Sequence, residues 1–231
     1  MTRLDELRTN LDVVRRRIAT ATEEAGRTDE VGLVVVTKFF PASDVRLLAD
    51  LGVTDVGENR HQEAEAKAAE CADLGLRWHF IGGLQSNKAA AVAAYADVVE
   101  TIDRPKLIAP LSRGADARVG EIDVLIQVSL DPPGADHRAG ADPAVLADLA
   151  GQVAAADLLR LRGLMAVAPL GEDPGSAFAR LAGIRRGFLE EHPGATVLSA
   201  GMSGDLEAAI THGATHVRVG SAVLGPRPAV Q

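Results

Sequence analysis

The sequence predicts an α/β fold, a single (β/α)8 TIM barrel with an extra N-terminal helix, on three observations. Eight short apolar or β-branched runs recur along the 231 residues. Alanine-rich stretches with helical spacing separate them. Strands joined by such crossovers, at roughly the 30 residues of a βαβ unit, must run parallel with both faces covered. Polar residues gather just after the runs, where a parallel barrel collects its chemistry. An open doubly wound sheet would share the alternation, but eight units in this length favour closure.

The N-terminal stretch, residues 2–26, places Leu4, Leu7, Leu11, Val14, Ile18, Ala21 and Ala25 at three- and four-residue steps, the stripe an amphipathic helix buries, and Gly26 can end it. The strand-like runs follow at 31–36, 53–56, 78–81, 97–101, 122–129, 161–167, 196–199 and 216–219. Helices of two or more turns are expected at 43–51, 60–74, 86–95, 104–112, 143–156, 176–191 and 205–212. Residues 1–231 thus read as one domain, with the helix of 1–26 packed on the barrel. The irregular stretch 131–142, Asp-Pro-Pro-Gly-Ala-Asp-His-Arg-Ala-Gly-Ala-Asp, reads as a long loop over the site face.

Composition removes several function classes. The chain is 47% hydrophobic with a net charge of −8, and its one basic run is Arg15-Arg16-Arg17. A phosphate backbone or an anionic bilayer finds little to attract it. The longest apolar stretches, 31–36 and 89–96, fall far short of the about 20 residues that a membrane span needs. The N-terminus mixes charges and has no apolar signal region, and the single Cys71 cannot form an internal disulfide. A soluble cytoplasmic protein is expected.

Two clusters carry candidate chemistry. Lysine is scarce, four residues against 20 arginines, and Lys38 closes the most apolar strand ahead of Phe39-Phe40-Pro41. A partly dry amine there is expected to have a depressed pKa and to attack an aldehyde as a nucleophile, although a strand-end lysine can equally snorkel to solvent. Near the other end, Ser199-Ala-Gly-Met-Ser-Gly-Asp205 offers glycines that let backbone amides approach a ligand, and Ser203 either caps the next helix or donates to a phosphate. In the stretch 216–225, a strand ends in Gly220-Ser221 and opens a short helix, as in the recurrent phosphate site after strands seven and eight of a barrel. Arg218 alternates with Val217 and Val219 and so points to the opposite side, into the barrel mouth. Asp205 and Glu207 would oppose a nearby phosphate. His212 and His216 have a metal-like spacing but no companion ligands, so no metal is expected. His79 reads as a hydrogen-bonded barrel histidine, and Cys71 as buried filler.

A lysine reactive toward aldehydes on the first strand, with a phosphate cradle after the last two, describes a pyridoxal 5′-phosphate (PLP) site in which lysine forms the Schiff base. The segments Val36-Thr-Lys38, Gly57-Glu-Asn59, Trp78-His-Phe-Ile-Gly-Gly-Leu-Gln-Ser-Asn-Lys88, Gly201-Met-Ser-Gly-Asp205 and Val217-Arg-Val-Gly-Ser-Ala-Val-Leu-Gly225 resemble the YggS-type pyridoxal phosphate homeostasis proteins over nearly the whole chain. The resemblance implies an alanine-racemase N-terminal-domain-like barrel in which Lys38 holds the cofactor. It also implies cofactor contacts from Asn59, Met202, Ser203, Arg218, Gly220 and Ser221, with Arg218 facing the pyridine nitrogen. A guanidinium there cannot accept a proton, so the ring is a poorer electron sink. Arg60, Gly83 and Arg138 depart from the family, where an aromatic residue, a proline and a lysine are common.

The function that follows is a PLP carrier acting in intracellular PLP homeostasis and delivery, without strong catalysis of its own. Its expected partners are the cofactor and PLP-dependent apo-enzymes as acceptors, with no nucleic acid or membrane, and the expected state is a monomer. A PLP-dependent racemase of fold type III is the first alternative, and a Schiff-base aldolase with a phosphorylated sugar is the second. Two-sided proton transfer in a racemase needs a second acid/base, and Tyr95, the only tyrosine, is poorly placed to serve.

Overall fold

The computed structural model describes residues 2–131 and 140–226. Eight parallel strands close into a barrel in chain order, as the alternating pattern predicts. They are β1 (Gly32–Val36), β2 (Asp55–Glu58), β3 (Arg77–Phe80), β4 (Val98–Ile102), β5 (Ile122–Gln127), β6 (Leu159–Met165), β7 (Val197–Ser199) and β8 (His216–Val219). The helices are α1 (Arg3–Glu24), α2 (Ala42–Asp50), α3 (His61–Glu70), α4 (Ala89–Ala93), α5 (Ile108–Ala117), α6 (Leu146–Ala154), α7 (Pro174–Glu191), α8 (Leu206–Thr211) and α9 (Ser221–Leu224). Among the described residues, no helix is long and apolar enough to cross a membrane.

Helix α1 starts at a reciprocal cap. Thr2 Oγ1 accepts from the Asp5 amide at 3.2 Å, and the Thr2 amide donates to Asp5 Oδ2 at 3.0 Å. Its stripe of Leu7, Leu11, Val14, Ile18 and Ala21 is buried against α8 and α9. Each larger aliphatic side chain in that stripe contributes about 1.5–3 kcal/mol. The helix is therefore a fixed part of the layer outside β8, packed with α8 and α9.

Several boundaries differ from the sequence reading. Strand β1 ends at Val36, so Lys38 falls in the turn beyond it and not on the strand. The stretch 86–95 contains only the five residues of α4, because the chain must turn into β4 by Val98. The stretches 104–112 and 143–156 open as single 3-10 turns at Pro105–Leu107 and Pro143–Val145, since proline fixes φ and lacks an amide donor. Strand β6 bends at Gly163, where φ is +152° and a Cβ would lie 1.8 Å from the Val197 carbonyl oxygen. The pairing of β5 with β6 shifts register there, between Val124 and Leu125. Most of the loop expected at 131–142, including Arg138, lies outside the described residues.

Alternation along each strand divides apolar from polar burial. In β8, Val217 and Val219 join the apolar layer beneath α1 and α8, and Arg218 turns to the barrel interior. That interior also holds His79, Glu100 and Ser199, all buried, whereas Glu58, of the same parity as Val56 on β2, faces outward to Lys67 on α3.

Candidate functional site

A cavity of about 250 Å³ opens at the carboxyl ends of the strands. Lys38, Met202, Ser203, Arg218, Gly220 and Ser221, far apart in sequence, all line it, together with Val36, Phe39, Phe40, Ile81, Gly204 and Gly225. Asn59 is not among the lining residues. Its carbonyl oxygen and Oδ1 press on Gly82, where a Cβ would come within 2.0 and 2.4 Å of them. Asn59 thus packs tightly against the turn that follows β3. A larger cavity, about 910 Å³, lies at the opposite end of the barrel between α1 and the starts of β1 and β2, away from the strand ends that carry barrel chemistry.

The turn that presents Lys38 is clamped on both sides. Thr37 Oγ1 donates to Glu58 Oε1 at 2.6 Å, and the buried Lys67 ammonium donates to the Thr37 carbonyl at 2.8 Å, to Glu58 Oε1 at 2.6 Å and to Glu63 Oε1 at 2.8 Å. Glu63 Oε1 also accepts from the Phe39 amide at 2.6 Å. Phe39 adopts φ +72°, a left-handed conformation that costs a non-glycine residue about 1–3 kcal/mol and persists only where its surroundings over-determine it. Burial pushes the Glu58 carboxyl up, with Lys67 pulling the other way. Glu63 and Lys67 are four residues apart on α3, a spacing visible in the sequence, but the strand carboxylate that joins them is not signalled by it.

Arg218 is only 3% exposed, and burial lowers its pKa against the opposing charge of Glu100. It donates to the Ala166 carbonyl at 2.9 Å and to Ser199 Oγ at 2.8 Å. The guanidinium is therefore fixed along the cavity floor with its charge retained.

The hydroxyl end of the cavity is built by β7, β8 and α9. Ser203 Oγ lies 3.3 Å from Ser221 Oγ and 3.4 Å from the Ala222 amide. The two acidic residues of concern are turned aside. Asp205 Oδ1 accepts from the Met202 amide at 2.6 Å, and Glu207 pairs with Arg17 at 2.7 Å. Helix α1 does more than cover the barrel here: Arg17 donates to the Ser203 carbonyl at 3.0 Å, Asn10 to that of Val223 at 3.0 Å and Arg3 to that of Leu224 at 3.0 Å. The apolar stripe of α1 was legible in the sequence, but this bracing was not, because the three polar residues lie on ordinary helix positions.

A family model for the N-terminal domain of alanine racemase matches residues 3–228. Over 245 aligned residues the chain is 43% identical to the pyridoxal phosphate homeostasis protein of Mycobacterium bovis, covering 97% of this chain and 94% of that protein. The chain belongs to the pyridoxal phosphate homeostasis protein family. The Escherichia coli K12 member is 37% identical over 235 residues, covering 97% of this chain and 98% of that one. PipY of Synechococcus elongatus, whose structure was solved with PLP bound, superposes with a TM-score of 0.83 at 34% identity, covering 95% of this chain and 100% of that chain.

Of the three residues expected to depart from the family pattern, Arg60 places its guanidinium 5.1 Å from the centre of the Phe39 ring, on the turn next to Lys38. Gly83 has open space around its Cβ position. Arg138 is outside the described residues. His79 is hydrogen-bonded on both ring nitrogens, Cys71 is buried, and no metal-ligating cluster occurs among the described residues.

Proposed function

We propose that this protein holds pyridoxal 5′-phosphate in the cavity at the strand ends and serves to store and deliver it. The observation that carries this reading is the convergence of Lys38, Arg218, Ser203 and Ser221 on one cavity of about 250 Å³. The donor set fits the group: an amine for an aldehyde, a guanidinium for the ring, and hydroxyls with the start of α9 for an anionic tail. Asp205 and Glu207 are bonded to the Met202 amide and to Arg17, and neither is among the residues lining the cavity. The PLP bound to PipY and the names of the relatives support the same reading.

When bound, the cofactor supplies an aldehyde that a lysine amine can capture reversibly. The protein's residues do the remainder. The clamp of Lys67, Glu58 and Glu63 sets the Lys38 turn, Ser203 and Ser221 hold the anionic end, and Asn59 supports the rim through Gly82. Arg218 offers no proton acceptor to the ring, which suits retention better than demanding carbanion chemistry. Tyr95 also weighs against the racemase alternative, since it stacks on His61 at 5.9 Å and is not among the residues lining the cavity. Release to PLP-dependent apo-enzymes in the cytoplasm, by a monomer comprising one barrel domain, completes the proposal.

The deciding measurement is the visible absorption spectrum with PLP before and after borohydride, followed by peptide mapping. A yellow protein that gains a pyridoxyl group on Lys38 is expected, with Lys38→Ala colourless. No adduct at Lys38 would overturn the assignment. A rapid racemase or decarboxylase turnover abolished by Lys38→Ala would overturn the carrier role and leave the site intact.

A further inference from the structure

A line of polar side chains crosses the barrel beneath Arg218. Ser199 Oγ accepts from Arg218 at 2.8 Å and donates to Glu100 Oε2 at 2.6 Å, whereas the direct separation of Arg218 and Glu100 is 3.9 Å. Glu100 Oε1 lies 2.7 Å from His79 Nδ1, and Asp55 Oδ1 lies 2.9 Å from His79 Nε2. Asp55 lines the larger cavity at the far end of the barrel. The line therefore spans the barrel from one cavity to the other.

Its geometry sets the protonation. Ionised carboxylates only accept hydrogen bonds, so both ring nitrogens of His79 must donate and the ring is an imidazolium. Burial alone would push His79 down, but its bonds to Asp55 and Glu100 overcome this and leave it raised. Burial would likewise push Glu100 up, and the bond to His79 turns it down. Charges then alternate along the line: Asp55 negative, His79 positive, Glu100 negative, Arg218 positive. The other titratable or charged groups acting on this array are Arg77 on β3, His216 on β8 and, toward Arg218, Asp205 just before α8.

We propose that His79, as an imidazolium, is the positioning residue for Arg218. By balancing Glu100 from behind, it leaves the guanidinium directed into the cavity through Ser199 and prevents its collapse onto the carboxylate. Without that balance, Glu100 draws Arg218 down and cancels its field at the cavity floor. The effect on cofactor rests on the PLP reading; the effect on Arg218 does not.

The test compares wild type, His79→Gln and Ser199→Ala, the last breaking the hydroxyl bridge without altering charge. By nitrogen-15 NMR without added cofactor, both ring nitrogens of wild-type His79 should stay protonated as the pH rises through about 6.5, the ordinary histidine value. The Arg218 guanidinium should give a sharp resonance that either variant broadens or moves. With PLP added, both variants should release it about tenfold faster, the change produced by roughly 1.4 kcal/mol. In His79→Gln the pH midpoint of the visible absorbance should also move upward by about one unit, because an uncompensated negative charge favours the protonated form. A loss of packing alone would not move that midpoint. A neutral His79 ring, or an Arg218 resonance unchanged in both variants, overturns the proposal. If His79→Gln does not fold, Ser199→Ala decides the point. A wild type that shows no visible band with PLP refutes the cofactor reading, and the NMR comparison still judges the positioning of Arg218.

Discussion

The Lys67 ammonium lies 2.8 Å from the carbonyl oxygen of Thr37, the residue immediately before Lys38. A second lysine, buried and neutralised by Glu58 and Glu63, thereby fixes the backbone that presents the first. The arrangement places one amine at the cavity and holds another buried beneath its turn.

Removing that buried cation should be costly. Lys67→Met leaves Glu58 without its counter-charge and should lower stability by about 3–5 kcal/mol, read as a shift in the urea unfolding midpoint. Adding Glu58→Gln to it should recover part of the loss, since the two residues form one pair. A change below about 1 kcal/mol in the single variant would show that the clamp does not hold the turn.

The paired hydroxyls at the opposite wall should matter for retention and hardly for folding. Hydrogen bonds to a charged group are worth about 1.5–3 kcal/mol, so Ser203→Ala combined with Ser221→Ala should weaken PLP binding roughly 10- to 100-fold. Equilibrium dialysis measures this. Unchanged binding would mean that the anionic end sits elsewhere.

Helix α1 should influence the cavity through Arg17. Its ion pair with Glu207 is partly exposed and is worth less than about 1 kcal/mol, so Arg17→Met should hardly alter the melting temperature. The same variant loses the bond to the Ser203 carbonyl, and PLP release should quicken a few-fold in stopped-flow absorbance. Identical release kinetics would reduce α1 to a cover.

Two histidines, His79 buried and His216 half-buried, should give stability limbs of opposite sense. The His79 pKa is raised above 6.5, so its contribution is complete below about pH 6.5 and is lost as pH rises through the folded value. Burial lowers the His216 pKa, so the folded state resists its protonation and stability falls as pH drops from 6.5 toward that lower value. Thermal unfolding against pH should therefore show His79→Gln flattening the alkaline limb and His216→Gln the acid one. The same limb flattened by both variants would contradict the assignment.

Strand and helix identities were legible because periods of 2 and 3.6 leave different residue spacings, and crossover helices force parallel pairing. Lys38, Ser203 and Gly220-Ser221 could be singled out for a related reason: a parallel barrel brings all strand ends to one face, so position along each unit already implies a shared location. Boundaries at prolines, and the short α4, depended on local geometry that spacing does not report.

What the sequence by itself determined is the barrel, the face on which chemistry collects and the residue types available there. Tertiary structure alone decided which of them meet. It packed Asn59 against Gly82, turned Glu207 toward Arg17, seated Lys67 under the Lys38 turn and linked His79 to Arg218 through Glu100 and Ser199. These contacts join residues on different strands and helices, and side-chain reach across a closed barrel depends on strand register and tilt, which no one-dimensional pattern encodes.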